Sequence, residues 1–202
     1  MPPGHQIDSF AHGWHSFQLS CSRVSSLYDV RAMARYVALL RAVNVGGTGK
    51  LPMATLVSLC EALGFEHVQT YIASGNAVFK TRFREQKVKS VLEQCLADYA
   101  GEPMSVVVRT AEQMKAVLAA NPFQAEPPER TVAIFLDEPP PPGALEEVRG
   151  RRSELLALGA REIYVAYKDG IGDSKLVIPC AANGTARNMN TIAKLVEMAN
   201  ET

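Results

Sequence analysis

VQTYIASGNAVFKT, Val68–Thr81, is the stretch that decides the fold. Val68–Ser74 and Ala77–Thr81 are runs rich in strand formers. Gly75-Asn76 between them fits a two-residue hairpin turn. Upstream, Arg35–Val43 (RYVALLRAV) is apolar on both faces and reads as a central strand. Asn44–Lys50 (NVGGTGK) is a glycine-rich turn. Pro52 suits the first turn of a helix, and Met53, Leu56, Val57, Cys60 and Leu63 follow at helical spacing. Gly64 is the natural stop. Downstream, Val88, Val91, Leu92, Cys95, Leu96 and Tyr99 form a helical stripe, and Met104–Arg109 reads as a strand. The order β-α-β-β-α-β is the split-βαβ, or ferredoxin-like, unit.

Beyond it, Thr110 and Gln113 make a capping-box pair for a short helix ended by Asn121-Pro122-Phe123. Residues 124–130 (QAEPPER) are polar and proline-rich, a linker between halves. The second half is expected to hold strand Thr131–Leu136, helix Ala144–Leu158 stopped by Gly159, strand Glu162–Tyr167 and a last helix from about Thr185 to Ala199. Leu176–Pro179 fits either a short strand or a helix. The expected class is therefore α+β: two packed ferredoxin-like halves, 33–123 and 131–202, the second degenerate or missing its last strand.

The chain has 202 residues, 47% of them apolar, with 21 Lys+Arg against 21 Asp+Glu. That excludes disorder along the whole chain and a generally basic nucleic-acid coat. No apolar run approaches the length of a membrane span. Residues 1–32 carry three of the four His and the only Trp, without sustained periodicity. They lack the basic start and apolar run of a secretory signal. Met33-Ala34-Arg35 leads straight into the first strand. Met33 is therefore the expected natural start, and 1–32 a disordered extension from an upstream start assignment. Cys21, Cys60, Cys95 and Cys180 show no zinc-binding spacing. They fit reduced thiols in a cytosolic protein.

The glycine-rich turn invites a phosphate-loop reading, which needs G-x-x-x-x-G-K-[ST]. Asn44 stands at the first glycine position and Leu51 at the hydroxyl position, so the match fails. The dinucleotide fingerprint fails at Pro52. What remains is a run of backbone N–H groups before a helix, a generic anion site. On the last helix, Met189, Ile192, Ala193 and Val196 form an expected packing face. Arg187, Asn190, Thr191 and Lys194 lie opposite, an unusual polar face built with poor helix formers. No acid occurs between Asp29 and Glu61, whereas 126–162 is acid-rich. Zero net charge thus averages a basic first half and an acidic middle. Arg41 sits within an apolar strand, where a guanidinium needs a partner.

Several blocks together are similar to one family. They are Leu40–Gly47 (LRAVNVGG), Lys50, Leu63-Gly64-Phe65 and Thr70–Phe79 (TYIASGNAVF). Asn121-Pro122-Phe123, Ser174-Lys175-Leu176 and Thr185–Thr191 (TARNMNT) complete the set. The family is the bacterial domain-of-unknown-function family 1697, and the resemblance runs from about Arg35 to Ala199. It implies paired ferredoxin-like α/β halves and no established activity, substrate or cofactor. Met189 stands where family members often carry Trp.

These residues lead to one principal expectation. A cytosolic protein binds a small anionic or nucleotide-like ligand through Arg41, Asn44, Gly46, Gly47, Lys50, Ser74, Asn76, Arg187, Asn190 and Lys194. Strand ends and turns of the first half would there meet the last helix. One alternative is an RNA-binding module in which Tyr36 and Phe79 stack bases on the sheet and the 80–89 basic cluster meets phosphates. Another is a structural or dimerisation protein with pairing sheet edges. No metal site, catalytic residue or cofactor follows from the sequence.

Overall fold

The computed structural model describes residues 32–41, 43 and 51–201. The expectation for the amino-terminal extension, and those for Asn44, Gly46, Gly47 and Lys50, fall on residues outside this set. The described chain builds two four-stranded antiparallel sheets and four α-helices, an α+β architecture.

The first sheet contains β1 (Ala34–Leu40), β2 (Glu66–Thr70), β3 (Asn76–Thr81) and β4 (Val106–Thr110). Its spatial order is β2-β3-β1-β4. Helix α1 (Met53–Ala62) joins β1 to β2 and α2 (Glu85–Ala100) joins β3 to β4. Alternation along β1 divides its side chains between two cores. Tyr36, Ala38 and Leu40 face α1 and α2, with Phe65 stacked on Phe79 at 4.4 Å between centroids. Val37 and Leu39 face the opposite way, into a central core shared with the second sheet. Each such buried side chain stabilises the fold by roughly 1.5–3 kcal/mol. The expected helix stop is present: Gly64 takes positive φ after α1, and Gly101 does the same after α2.

The turn between β2 and β3 is longer than two residues. β2 ends at Thr70, so residues 71–75 form the connection, with Ile72 and Gly75 at positive φ. Asn76 opens β3 instead of sitting in the turn. Its amide donates to Tyr71 O at 2.9 Å and Ser74 Oγ at 3.1 Å, fixing the loop from within.

After β4 comes α3 (Ala111–Ala119), started by the expected capping box. Gln113 N donates to Thr110 Oγ1 at 3.2 Å, and Thr110 N donates to Gln113 Oε1 at 2.8 Å.

The second sheet contains β5 (Thr131–Phe135), β6 (Leu155–Leu158), β7 (Glu162–Ala166) and β8 (Thr185–Asn188), in the order β6-β7-β5-β8. This repeats the first sheet's arrangement of second, third, first and fourth strands. The last strand expected to be missing is therefore present as β8, and the last helix, α4, begins at Met189. What the second half lacks are the crossover helices. Residues 144–154 are turns, and Leu155–Leu158 is a strand where a helix was expected. Gly150 explains why. It has φ +66°, and a Cβ there would lie 2.1 Å from Lys175 O, because Arg149 pairs with Val177 across this point. Leu145, Val148 and Leu156 do point inward, onto a satellite core of Val132, Ile163 and Val165. The undecided Leu176–Pro179 stretch contributes that bridge and then enters a single 3₁₀ turn, Pro179–Ala181.

The central core joins the halves. Val37, Leu39, Val78 and Val107 of the first sheet meet Ala133, Phe135 and Tyr164 of the second, with α3 and α4 packed among them. Met189 is part of this core, as expected from its position on the helix. No helix among the described residues is long and apolar enough to cross a membrane.

Candidate functional site: two buried arginines and the end of strand β1

Each fourth strand sends one arginine into the other half. Arg187 on β8 is 8% exposed and Arg109 on β4 is 2% exposed. Their neighbourhoods correspond. Arg187 Nη2 donates to Leu40 O at 2.8 Å, just where β1 ends, and to Ser74 O at 3.0 Å, just before β3. Arg109 Nη2 donates to Leu136 O, just past the end of β5, and to Arg161 O at 3.1 Å, just before β7. Each also returns a bond to its own strand, to Ala186 O at 2.9 Å and Val108 O at 2.8 Å. Each precedes a helix N-cap: Asn188 Oδ1 accepts from Thr191 N at 2.9 Å, as Thr110 does for α3.

The chemistry around the two differs. The first residue of β7 is Glu162, buried, whose carboxylate accepts from Ala160 N and Arg161 N. Glu85, Asp137 and Glu162 all favour the charged state of Arg109, yet burial, followed by repulsion from Arg161, pulls the guanidinium down to about 10. On the surface of this end, Arg161 forms a two-pronged pair with Glu85 at 2.7 and 3.2 Å. Lys89 bridges Glu93 at 2.8 Å and Asp137 at 3.1 Å. Tyr164, whose hydroxyl donates to Val117 O at 2.8 Å, is raised by burial and then by Glu162.

At the other end the first residue of β3 is Asn76, neutral and fully buried. Arg187 Nε donates to its Oδ1 at 2.5 Å and Nη1 donates to Thr185 Oγ1 at 2.8 Å. Every acceptor described around Arg187 is neutral. Burial alone pulls it down to about 10. A guanidinium has five N–H donors, and protein oxygens take those of Arg187. It therefore projects a positive field without a free hydrogen bond for a ligand.

Arg41, the next residue after Leu40, supplies the accessible cation. Its Nη2 donates to Ala182 O at 2.6 Å and its Nη1 lies 3.4 Å from Asn183 Oδ1, both in the exposed loop before β8. Among the described residues no carboxylate pairs with Arg41. Arg41, Ser74, Asn76 and Arg187 thus all lie at one end of the first sheet. Gly75 makes it possible. It sits at φ +75°, and a Cβ would fall 2.8 Å from Leu40 Cβ.

The last helix joins this cluster less than expected. Arg187 lies on β8, not on the helix. Thr191 is buried and Ala193 exposed, so the two expected faces are rotated. Asn190 is exposed, and Lys194 pairs with Glu197 at 2.6 Å, a contact that raises its ammonium.

The RNA reading requires aromatics on an open sheet face. Tyr36 and Phe79 are buried under α1 and α2, and the opposite face of that sheet lies in the central core. Neither ring is available for base stacking. Among the described residues no group of three or more His, Cys, Asp and Glu is placed to hold a metal ion.

Arg109 and Asn183 were not foreseen. A signal for Arg109 existed: it closes the apolar run VVVR, the same anomaly that singled out Arg41. Asn183 carries none, because its role depends on where its loop returns.

Comparison with known proteins supplies a relationship without an activity. No curated protein matches. A solved structure titled as that of the conserved bacterial protein SP0830 from Streptococcus pneumoniae is similar at TM-score 0.70 and 26% identity. The match covers 83% of this chain and 99% of that one. The family model described as "protein of unknown function (DUF1697)" matches residues 33–164, well over half of the sequence, and the chain belongs to that family.

Proposed function

We propose that this protein binds a small anionic ligand at the carboxyl end of β1. Arg41 makes the direct contacts and Arg187 supplies the buried positive field. One observation carries the reading: both buried arginines bond neutral oxygens only, but the carboxylates of Glu85, Glu162 and Asp137 act on Arg109 from nearby, whereas no described carboxylate acts on Arg187. A buried charge is costly unless compensated. An anion arriving beside Arg41 supplies the missing compensation. Ser74 and Asn76 act from behind, holding Arg187 in place. From sequence alone the proposal adds Asn44, Gly46, Gly47 and Lys50, which lie in the sequence between buried Val43 and buried Leu51. It leaves out Asn190 and Lys194.

A thermal-shift screen of nucleotides, sugar phosphates and simple anions tests this. Hits are expected to weaken when Arg41→Ala is introduced. Binding indifferent to that change, or no hit at all, overturns the proposal.

The proposal extends to scaffold and location. Both sheets are read as ferredoxin-like units, supported by the shared strand order and, in the first, by its two crossover helices. A cytoplasmic location is supported by Cys60, Cys95 and Cys180, none of which forms a disulfide among the described residues. Pairing between two copies is favoured by one feature. β6 is an edge strand of Leu155, Leu156, Ala157 and Leu158, without charge, and Leu158 is 46% exposed. A monomeric mass in solution overturns it.

A further inference from the structure

We infer that the group bound beside Arg41 is a dianionic phosphoryl group, such as that of a phosphomonoester, and not a single carboxylate; this rests on the anion-binding reading above. The inference comes from comparing charge at the two equivalent ends. At the Arg109 end, three cations (Lys89, Arg109 and Arg161) stand with four carboxylates (Glu85, Glu93, Asp137 and Glu162). Positive charge there is fully answered from within the chain. At the Arg187 end, Arg41 and Arg187 stand with no carboxylate among the described residues. The position taken by Asp137, directly after the carbonyl that the buried arginine holds, is Arg41. The position taken by Glu162 is Asn76. Two acids of one end are thus a cation and an amide at the other, and among the described residues the unanswered charge is two.

Arg187 Nη2 holds the carbonyl of Leu40, the residue before Arg41. Two unanswered cations at one strand end favour a ligand that itself carries two charges. A phosphoryl group concentrates about −1.5 to −2 on three oxygens. The fork of Arg41 has the matching shape. Its two terminal nitrogens already hold two neutral oxygens, Ala182 O and Asn183 Oδ1, which paired phosphoryl oxygens replace with a charge-assisted contact. Burial of Arg187 lowers the local dielectric and lengthens the reach of its field.

Titration calorimetry on the full chain with inorganic phosphate, sulfate, succinate and acetate tests the inference. Phosphate and sulfate are expected to bind at least tenfold more tightly than acetate or succinate. Phosphate affinity should rise several-fold between about pH 5 and about pH 7.5, as its second proton leaves near pH 6. Sulfate affinity should stay flat over that range. Arg41→Ala should weaken both by tenfold or more, and Arg41→Lys should recover part of the loss. Acetate or succinate binding as tightly as phosphate, still dependent on Arg41, overturns the phosphoryl assignment and leaves the anion site standing. Flat phosphate affinity across that pH range also overturns the assignment. No Arg41-dependent binding of any of the four overturns the site itself.

Discussion

The two buried arginines occupy equivalent places in equivalent sheets, yet one end of the molecule is electrostatically closed and the other open. Around Arg109, carboxylates answer every cation, and the surface pairs Arg161–Glu85 and Lys89–Asp137 seal the halves together. Around Arg187, backbone carbonyls and an amide do the same geometric work without answering the charge. Identical staples can therefore serve different ends. A fully compensated one only holds the fold. An uncompensated one holds the fold and leaves a field that an outside anion can use. The difference lies in two positions, Arg41 against Asp137 and Asn76 against Glu162.

The largest expected effect separates these roles directly. Arg109→Met leaves the buried Glu162 carboxylate without its nearby guanidinium and should cost about 3–5 kcal/mol. Arg187→Met leaves only neutral oxygens unsatisfied and should cost less, about 2–3 kcal/mol. Urea unfolding of both variants measures this. If Arg187→Met is the more damaging, the contrast between compensated and uncompensated ends is wrong.

Gly75→Ala comes next. Left-handed backbone costs a residue with a Cβ about 1–2 kcal/mol, and the overlap with Leu40 Cβ adds to it. A loss of about 2 kcal/mol is expected by the same method. The equivalent position at the other end is Arg161, which lies outside the positive-φ region and sends its side chain to Glu85. The end that needs a close backbone approach uses glycine. The end that needs an ion pair uses arginine.

Glu85→Gln should cost only about 1 kcal/mol, since the pair with Arg161 is half-buried. Its cost should shrink when salt rises from about 0.1 M to about 1 M, where screening acts over about 3 Å. A cost unchanged by salt would show that packing, not charge, holds this seam.

Much of this was open to reading in the sequence, and the rest was hidden for physical reasons. Strands and helices of the first half repeat at their own periods, and Gly64 and the Thr110–Gln113 box punctuate them locally. The second half hides its form because its connections are turns held by distant contacts. Leu145, Val148, Leu155 and Leu156 keep helical spacing, but Gly150 must meet Lys175, and no local pattern announces that. For the site, Arg41 and Arg187 stand out as unusual chemistry, while Ser74 and Asn76 read as lying at the turn between two strands. That Arg187 spends its donors on carbonyls is a tertiary fact, since those carbonyls lie more than a hundred residues away.

The smallest effect concerns Lys89, which clasps the closed end. Burial works against its charge, but hydrogen bonds to Glu93 and Asp137 outweigh burial and hold the ammonium above its ordinary 10.5. A raised ammonium keeps its proton longer in the folded chain than in the unfolded one. Its contribution is therefore complete below pH 10.5 and is lost as pH rises through the higher folded value. With its side chain 30% exposed, solvent screens much of this, so the change should be a few tenths of a kcal/mol. Between about pH 9 and about pH 11.5 the wild-type urea midpoint should fall slightly further than that of Lys89→Met. Parallel falls would mean that the clasp adds no net charge stabilisation. The closed end would then owe its strength to Arg109, Glu162 and the Arg161–Glu85 pair, and the Lys89 clasp would be an ornament of a seam that is already shut.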